Sequence, residues 1–509
     1  MVFSSVLFLF LFLPVVLALY YLLVVPAQLA GRKVGVRLGN LFLLLASLVF
    51  YAWGEQWFVF VMIGSILLDY GCGLAISGAL KDSPRPVELL ERGGPRTRGQ
   101  KLALFLSIAG NLSVFGFFKY FNFGIENVNA IAEGLGLHWL VSEDVLQITL
   151  PLGISFYTFQ SLSYTIDVYR GDARASRNLL DFACFVTLFP QLVAGPIVRY
   201  RDIAAQLRER VVTRSDFAAG VTRFVLGLAK KVLVANTVAI AADEIFAIPE
   251  AHMTPGLAWL GVLCYTLQIY FDFSAYSDMA IGLGRMFGFR LLENFNYPYI
   301  ASSVQDFWRR WHMSLSTWFR DYLYIPLGGN RGSQGRTYFN LFLVFFLCGL
   351  WHGASWTFVA WGMLHGAFLV VERLGLSQLL KRCPRFIRHA YTLLVVMVGW
   401  VLFRAETFAE ASVFLRAMAG SSRGAGDLYF VGLYLNRELA LTLCLGVLFS
   451  LPVLPWLAGK YRELSQDAGS TLVVFGGQLV RLSVLGLLFA ACAVSLAAGT
   501  YNPFIYFRF

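Results

Sequence analysis

The chain has 509 residues, of which 58% are hydrophobic and only 14% are charged, and its formal net charge is +11. Average soluble domains carry about 25% charged residues, so this composition excludes an ordinary soluble protein and indicates one embedded in a lipid bilayer. In a chain this apolar, basic cytoplasmic loops explain the positive charge better than nucleic-acid binding does, and no nucleic-acid partner is expected.

The first predicted membrane span covers residues 6–25, and no Lys or Arg precedes it, so a cleaved signal peptide is not expected. Arg32, Lys33 and Arg37 follow this span, which predicts an outward N-terminus. Further apolar runs predict spans near residues 39–54, 57–78, 102–118, 146–168, 217–236, 256–284, 338–352, 356–371, 390–403, 438–458 and 472–498. The predicted fold class is an all-α polytopic membrane protein with about 11–12 transmembrane helices.

The charges of the loops predict which side of the membrane each loop faces. The loops at 79–101, 199–214 and 372–388 are basic, whereas those at 124–145 and 241–254 contain no Lys or Arg. Alternating them across the bilayer makes 79–101 a polar cytoplasmic loop and places the C-terminal tail, 499–509, outside.

Residues 179–200 have basic flanks and contain Pro190, Gly195 and Pro196. Broken backbone at membrane depth must be buried in protein, so this segment is predicted to be re-entrant.

Seven cysteines are scattered singly, mostly inside apolar runs, and no C-x-x-C pattern occurs. We interpret them as small core residues, and we expect neither disulfides nor a metal site. Asp69, Asp272 and Asp278 lie in or near predicted spans. They are expected to be packing partners between helices rather than catalytic groups.

Residues 302–336 predict an amphipathic helix and loop on the cytoplasmic side. Ser303 and Asp306 have the spacing of a capping box. An apolar stripe at helical spacing follows, formed by Phe307, Trp311, Leu315, Trp318 and Tyr322. An interfacial helix accounts for the stripe. It does not account for His312, which lies beside the stripe among tryptophans.

His352 lies in one of the most apolar parts of the chain, between Gly349 and Gly353. Ionisable groups at membrane depth commonly face a cavity or a pathway, so His352 and His312 are the candidate functional histidines. The sequence leaves the role of His365 open. The remaining histidines, expected to be surface residues, are His138, His252 and His389.

Two long segments resemble the signature segments of the membrane-bound O-acyltransferase family, in its bacterial alginate O-acetylation branch. They are "FWRRWHMSLSTWFRDYLYIPLGG" and "GLWHGASW". Similar segments run along the whole chain, among them "LFPQLVAGPIVRY" and "ENFNYPY". The resemblance implies one domain over residues 1–509. It further implies that re-entrant and interfacial helices join the transmembrane helices in a ring around a central tunnel.

The same resemblance assigns roles to the two histidines. The family's invariant histidine corresponds to His352, and its second, cytoplasmic-side polar residue corresponds to His312. Neutral imidazole can take the proton of a hydroxyl that attacks a thioester carbonyl near pH 7. His352 is therefore the predicted base, and His312 is predicted to orient the donor or to assist proton transfer. A Cys348–His352 nucleophile is the less favoured alternative.

The basic residues around His312 favour a phosphate-bearing donor such as acetyl-CoA, because arginine makes bidentate phosphate contacts. The predicted donor-binding residues are Arg309, Arg310, Trp311, Arg320 and Trp351. Arg331 and Arg336 belong to the same basic stretch. For any single arginine, the positive-inside signal is the favoured explanation. No permanently bound cofactor is expected.

The chain ends in "FIYFRF", residues 504–509, whose only hydroxyl belongs to Tyr506. Composition favours an interfacial anchor. The segment also resembles the endings of proteins in related acyl-transfer systems, in which the tyrosine carries the acyl group. Tyr506 is therefore a candidate acyl acceptor as well as an anchor.

Together these features predict a multi-pass O-acetyltransferase of the bacterial inner membrane. It would move acetyl groups from a cytoplasmic thioester for O-acetylation of an exported, alginate-like or cellulose-like polysaccharide. Expected partners are a periplasmic O-acetyltransferase or acyl-relay protein and a polysaccharide synthase or secretion complex. Peptidoglycan O-acetylation or another envelope acylation is the alternative acceptor chemistry. A transporter or a non-catalytic secretion scaffold is the alternative class, although no inverted repeat is visible.

Overall fold

A computed structural model of the protein describes residues 2–79, 87–137, 147–422, 424, 426, 428–467, 471–499, 501–503 and 505. These residues form helices and connecting loops, and no strand occurs among them. The predicted all-α class is therefore confirmed. The chain forms two compact units, Met1–Gly220 with Leu283–Leu292, and Val221–Gly282 with Glu293–Phe509.

The first unit contains the N-terminal helices. They are α1 (Leu13–Ala30), α2 (Arg32–Glu55), α3 (Val59–Ser77), α4 (Arg98–Gly134), α5 (Ile154–Arg170), α6 (Leu179–Thr187), α7 (Phe189–Leu192) and α8 (Tyr200–Arg208). Two helices have residues in both units, namely α9 (Arg214–Ala229) and α11 (Pro255–Met286).

The second unit contains the remaining helices. They are α10 (Asn236–Phe246), α12 (Val304–Arg310), α13 (Met313–Phe319), α14 (Gln334–His352), α15 (Trp356–Val371), α16 (Ser377–Arg382), α17 (Arg385–Arg404), α18 (Phe408–Met418), α19 (Val431–Tyr434), α20 (Arg437–Phe449), α21 (Val453–Asp467) and α22 (Thr471–Ala497). Short π-helical segments occur at Phe8–Phe12, Lys230–Ala235, Arg320–Tyr324 and Glu372–Leu376. Short 3₁₀ turns occur at Gln56–Phe58, Glu250–His252 and Pro298–Ile300.

Within the described part of the chain, eight helical stretches are long and apolar enough to cross a membrane, or nine if the bent pair α20–α21 is one span. This number is lower than the 11–12 spans expected. One of the eight stretches, Arg32–Ser77, contains two predicted spans, and Gln56 with a φ of 42° separates its two helices. The span predicted near 146–168 corresponds to α5, which has only 17 residues and buries many polar side chains.

Two segments of the first unit were singled out from the sequence. Residues 182–198 are buried, and their helical path is broken at Leu188 between α6 and α7, as expected for irregular backbone that must be shielded. Asp69 is fully buried and accepts hydrogen bonds from Ser107 at 2.6 Å and Asn111 at 2.9 Å, so it joins α3 to α4. It is a packing partner, as the sequence predicted.

The prediction of an amphipathic helix within residues 302–336 was wrong in one respect, because this helix is not continuous. Ser303 caps α12 by accepting the Asp306 N–H at 3.0 Å, as expected. The helix then ends at Arg310, and α13 begins at Met313 after His312 adopts left-handed backbone angles, φ 43° and ψ 54°. The aromatic stripe is buried on both sides of the break, so it faces the protein core.

Glycines allow α14 and α15 to pack closely against each other. This packing fixes the position of His352 at the end of α14. A Cβ atom at Gly349 would collide with the carbonyl oxygen of Phe358, and one at Gly362 would collide with that of Phe345. Only glycine allows the two backbones to approach this closely. All seven cysteines lie among the described residues, and each is a free thiol in the structure.

Candidate active site

His352 is the last residue of α14 and is 6% exposed. Three aromatic rings surround its imidazole, with centroids 4.9 Å away for Trp351, 5.0 Å for Trp361 and 5.2 Å for Phe403. All three contacts are edge-on. The ring is therefore fixed in an apolar environment that holds bulk water away from it.

His352 opens onto a small cavity of about 10 Å³, which has room for roughly one water molecule. The cavity is lined by Ile269, Phe273, Trp311, His352, Trp361, Trp400, Phe403 and Ile505. Ile505 belongs to the C-terminal tail and is 4% exposed. The tail therefore reaches the wall of the same cavity as the candidate base.

Asn294 explains why the chain breaks at His312. Its main-chain oxygen accepts the Met313 N–H at 2.9 Å. Its side-chain oxygen accepts the Ser314 N–H at 3.2 Å and the Ser314 hydroxyl at 2.9 Å, and it contacts His312 Nδ1 at 3.1 Å. Its amide nitrogen donates to Ser277 at 3.0 Å. Asn294 thus accepts the backbone N–H groups at the start of α13 and orients the His312 imidazole.

These contacts also determine the tautomer of His312. A backbone N–H can only donate, so the atom of Asn294 facing Ser314 must be the oxygen. His312 Nδ1 must therefore donate its proton, which leaves Nε2 as an acceptor in the neutral ring. Burial lowers the pKa of His312 to about 3, so the ring is neutral at pH 7. Nε2 is buried and has no hydrogen-bond partner among the described residues.

The two candidate histidines share their aromatic surroundings. Trp351 contacts both rings, with its centroid 6.2 Å from His312 and 4.9 Å from His352. Phe273 packs edge-on to His312 at 4.6 Å and also lines the His352 cavity. The structure therefore brings the three predicted site residues His312, His352 and Trp351 into one cluster.

A much larger cavity, of about 430 Å³, lies against α12, α13 and α14. Buried apolar side chains form its wall, including Trp308, Leu315, Phe345 and Cys348. Cys348 is one helical turn before His352, which corresponds to about 6 Å along the helix axis. We call this space the donor cavity. Its apolar wall approaches the candidate base along α14.

Five cationic side chains line the donor cavity: Arg309, Arg320, Arg373, Lys381 and Arg388. The lining also contains the acidic residue Glu372. Its carboxylate caps the start of α12, where it accepts the Val304 N–H at 2.6 Å and the Gln305 N–H at 3.1 Å. Arg320 is also 2.8 Å from Asp321. The cavity therefore carries a net positive charge, which suits an anionic ligand with an apolar part.

The predicted donor-binding residues are only partly brought together. Arg309 and Arg320 line the donor cavity. Arg310 instead pairs with Asp306 at 3.0 Å and donates to the Asn296 carbonyl at 3.2 Å. Trp311 lines the His352 cavity, and Trp351 lies between the histidines.

Arg373, Lys381 and Arg388 were not singled out from the sequence. The only signal for them was the basic loop 372–388. Asn294 lies in the family-like segment "ENFNYPY", but its role was not predictable, because its contacts with His312 and Ser314 span 18 and 20 residues of chain.

The other candidates fall into three groups. Tyr506 and His138 lie outside the described residues. His365 is fully buried, 5.2 Å from the rings of both Trp308 and Trp361. His252 and His389 are partly buried at loop and helix ends. Among the described residues, no cluster of three or more His, Cys, Asp or Glu side chains could hold a metal ion.

Comparison with known proteins decides the family. Residues 172–409 match the membrane-bound O-acyltransferase family. The chain is 44% identical over 520 residues to "Probable alginate O-acetylase AlgI" of Pseudomonas putida, covering 100% of both chains. It is equally identical, over 530 residues and 100% of both chains, to the protein of that name in Azotobacter vinelandii. The chain belongs to the membrane-bound O-acyltransferase family.

This membrane-bound O-acyltransferase is also 36% identical over 452 residues to the "Peptidoglycan O-acetyltransferase" of Helicobacter pylori, covering 82% of this chain and 80% of that one. Family membership and these relatives confirm the predicted enzyme class, an O-acyltransferase. The apolar helices confirm that it is a multi-pass membrane protein.

In this O-acyltransferase, we expect Asn294→Ala to lower stability and activity together. The substitution removes the side-chain acceptor of Ser314 and His312, which we expect to cost about 2–4 kcal/mol of unfolding free energy. Thermal unfolding in detergent and acetylation of the exported polymer measure the two effects. Asn296→Ala is the matched control, since the hydrogen bonds recorded for Asn296 use its backbone. Equal behaviour of the two variants would contradict this role for Asn294.

Proposed function

We propose that this O-acyltransferase moves an acetyl group from acetyl-CoA, or a related thioester, across the bacterial inner membrane for O-acetylation of an exported polysaccharide. One observation carries the proposal. His352 ends a helix whose preceding turn lines a basic donor cavity, and its ring lines a second cavity that the C-terminal tail reaches. A donor on one side and an acceptor on the other could therefore meet at one imidazole.

His352 acts as the general base in this proposal. Neutral imidazole takes the proton from the attacking hydroxyl, and the hydroxyl oxygen forms a bond to the thioester carbonyl carbon. The carbon–sulfur bond then breaks, and the proton on His352 passes to the leaving thiolate. Positioned base catalysis contributes about 10²–10⁴-fold to such reactions. The aromatic enclosure of His352 supports this role, because it limits competing hydrolysis by water.

His312 acts beside it as an orienting group. Its Nε2 is a buried acceptor in a neutral ring, so it can receive a hydrogen bond from an amide or hydroxyl without carrying charge. Its strained backbone conformation supports a functional role, since strain of this kind often accompanies function. Asn294 holds the ring in the required tautomer.

The donor cavity is proposed to receive the thioester. Its volume of about 430 Å³ lies in the usual range for small-molecule sites. The apolar wall suits the acyl-bearing arm of coenzyme A, and the cationic rim suits its phosphates. Arg309 and Arg320 come from the segment predicted to be cytoplasmic, where acetyl-CoA is made available.

The acceptor side is proposed to face the periplasm. Tyr506 would accept the acetyl group on its phenol and pass it to a periplasmic O-acetyltransferase or acyl-relay protein, which completes the transfer. The names of the AlgI relatives favour alginate or a similar polymer as the final acceptor. The Helicobacter pylori relative favours peptidoglycan as the second candidate. Comparing acetyl content of exported polysaccharide and of peptidoglycan in a deletion strain separates the two.

Donor binding is tested with inverted membrane vesicles and acetyl-CoA. We expect Arg309→Gln to raise KM for acetyl-CoA about tenfold, because a charge-assisted phosphate contact contributes about 1.5–3 kcal/mol. Arg310→Gln is the matched control and should leave KM unchanged, since Arg310 pairs with Asp306 outside the cavity. A larger KM change for Arg310→Gln than for Arg309→Gln would contradict the assignment of the donor cavity.

A further inference from the structure

The C-terminal tail is held by a buried ion pair. Lys231 and Asp272 are 2.8 Å apart, and their side chains are only 3% and 1% exposed. The Lys231 ammonium also donates to the main-chain oxygen of Pro503, and Asp272 Oδ2 accepts the Ile505 N–H at 3.0 Å. The pair therefore binds a carbonyl and an N–H that lie two residues apart in the tail.

A buried ion pair is a costly way to join two helices. Removing both charges from water costs several kcal/mol, and apolar residues of similar size often pack as well or better. Ionisable side chains at this depth are therefore functional candidates by default. Lys231 also lies in the π-helical segment Lys230–Ala235, and π-helical irregularities are frequent at functional sites.

The neighbouring pair provides a comparison within the same segment. Lys230 is 2.6 Å from Asp278, which Arg223 also contacts at 2.8 Å, and the Lys230 side chain is 26% exposed. This network joins α9, the π-helical segment and α11, as expected for a packing interaction. The Lys231–Asp272 pair differs because both members use further hydrogen bonds on the tail.

We propose that Lys231 and Asp272 form a peptide clamp that docks the chain's own C-terminal tail beside His352. Asn236 and Asp243 support the clamp, because Asn236 donates to the Asn502 side chain at 3.1 Å and Asp243 accepts the Tyr501 hydroxyl at 2.8 Å. Beyond these contacts, Ile505 lines the His352 cavity. The consequence for catalysis rests on the function proposed above, in which Tyr506 follows Ile505 as acyl acceptor. Lys231 and Asp272 are then positioning residues.

Because the clamp binds main-chain groups, it requires a backbone N–H at residue 505. Ile505→Pro removes the N–H that Asp272 accepts, whereas Ile505→Ala keeps it and removes most of the side chain. We expect the proline variant to lose polymer acetylation at least about tenfold more than the alanine variant, because the buried Asp272 carboxylate then keeps Lys231 but loses its hydrogen bond from the tail. If Tyr506→Phe abolishes acetylation, equal activity of the proline and alanine variants would overturn recognition through the backbone.

Docking itself is measured by thiol protection, independently of acyl transfer. Ile505→Cys is placed in the full chain, with the less buried Cys383 and Cys444 replaced by serine, and labelled with a membrane-impermeant maleimide in spheroplasts. We expect slow labelling in this parent and labelling about tenfold faster when Lys231→Met and Asp272→Asn are combined. The double variant leaves no single charge buried without its partner. Lys230→Met is the control and should stay as protected as the parent.

The clamp is overturned if the double variant protects the introduced thiol as well as the parent does, or if Lys230→Met exposes that thiol equally. The acyl relay through Tyr506 is tested separately. Faster labelling of the double variant together with normal acetylation by Tyr506→Phe would retain the clamp and reject the relay. In an active relay, the double variant should lower kcat while KM for acetyl-CoA stays unchanged. A rise in KM alone would assign the pair to the donor site and contradict the positioning role.

Discussion

His352→Ala should lower acetylation of the exported polymer by about 10²–10⁴-fold while the protein remains at normal levels in the membrane. The reason is that the substitution removes the group placed between the donor cavity and the tail, and it leaves the glycine packing of α14 against α15 intact. Polymer acetyl content, normalised to the amount of membrane protein, measures the effect.

His352→Gln is the matched variant, because it retains a polar side chain of similar size but cannot act as a base near pH 7. We expect it to be as inactive as His352→Ala. His252→Ala, a change to a loop histidine away from the cluster, should retain activity. An active His352→Gln variant would show that hydrogen bonding at this position suffices and that base catalysis is not its role.

Tyr506→Phe should have a comparably large effect. The variant keeps the aromatic ring that could anchor the tail and deletes only the hydroxyl that could carry an acetyl group. Tyr506 itself lies outside the described residues, but Ile505 before it is 4% exposed and lines the His352 cavity. We therefore expect polymer acetylation to fall to background while protein level is unchanged. If this variant acetylates the polymer like the wild type, Tyr506 does not carry the acetyl group and the tail acts only as an anchor.

Features carried by local sequence were predictable. Long apolar runs predicted the helical membrane fold, and the apolar surroundings of His352 in the sequence predicted its burial. The aromatic stripe from Phe307 to Tyr322 was correctly predicted to be the apolar part of this segment, since all of its side chains are buried. In each case the information lies within one helix or one pair of adjacent helices.

Features that depend on distant partners were not predictable. The stripe favoured one helix through residue 312, yet Asn294 captures the backbone of Met313 and Ser314 and ends α12. Glu372 caps the same helix from 67 and 68 residues away. The contact between Lys231 and Pro503 spans 272 residues. Periodicity within a segment carries no information about such contacts.

The number of spans shows a related limit. Hydropathy alone suggested a span near 146–168, but α5 has 17 residues and buries Thr158, Gln160 and Asp167. A helix that buries such side chains can be enclosed by protein without the length expected of a lipid-facing span. Polar content inside an apolar run therefore requires the tertiary structure for its interpretation.

His352 is proposed to catalyse acyl transfer from a thioester to the tail. Reconstituted protein, incubated with radiolabelled acetyl-CoA in the absence of a polymer acceptor, tests it most directly. We expect wild-type protein to release the free thiol and to carry labelled acetyl on Tyr506, located by mass spectrometry of the tail peptide. His352→Gln should do neither. Acetylation of Tyr506 at the wild-type rate in His352→Gln would contradict the role of His352 as the catalytic base.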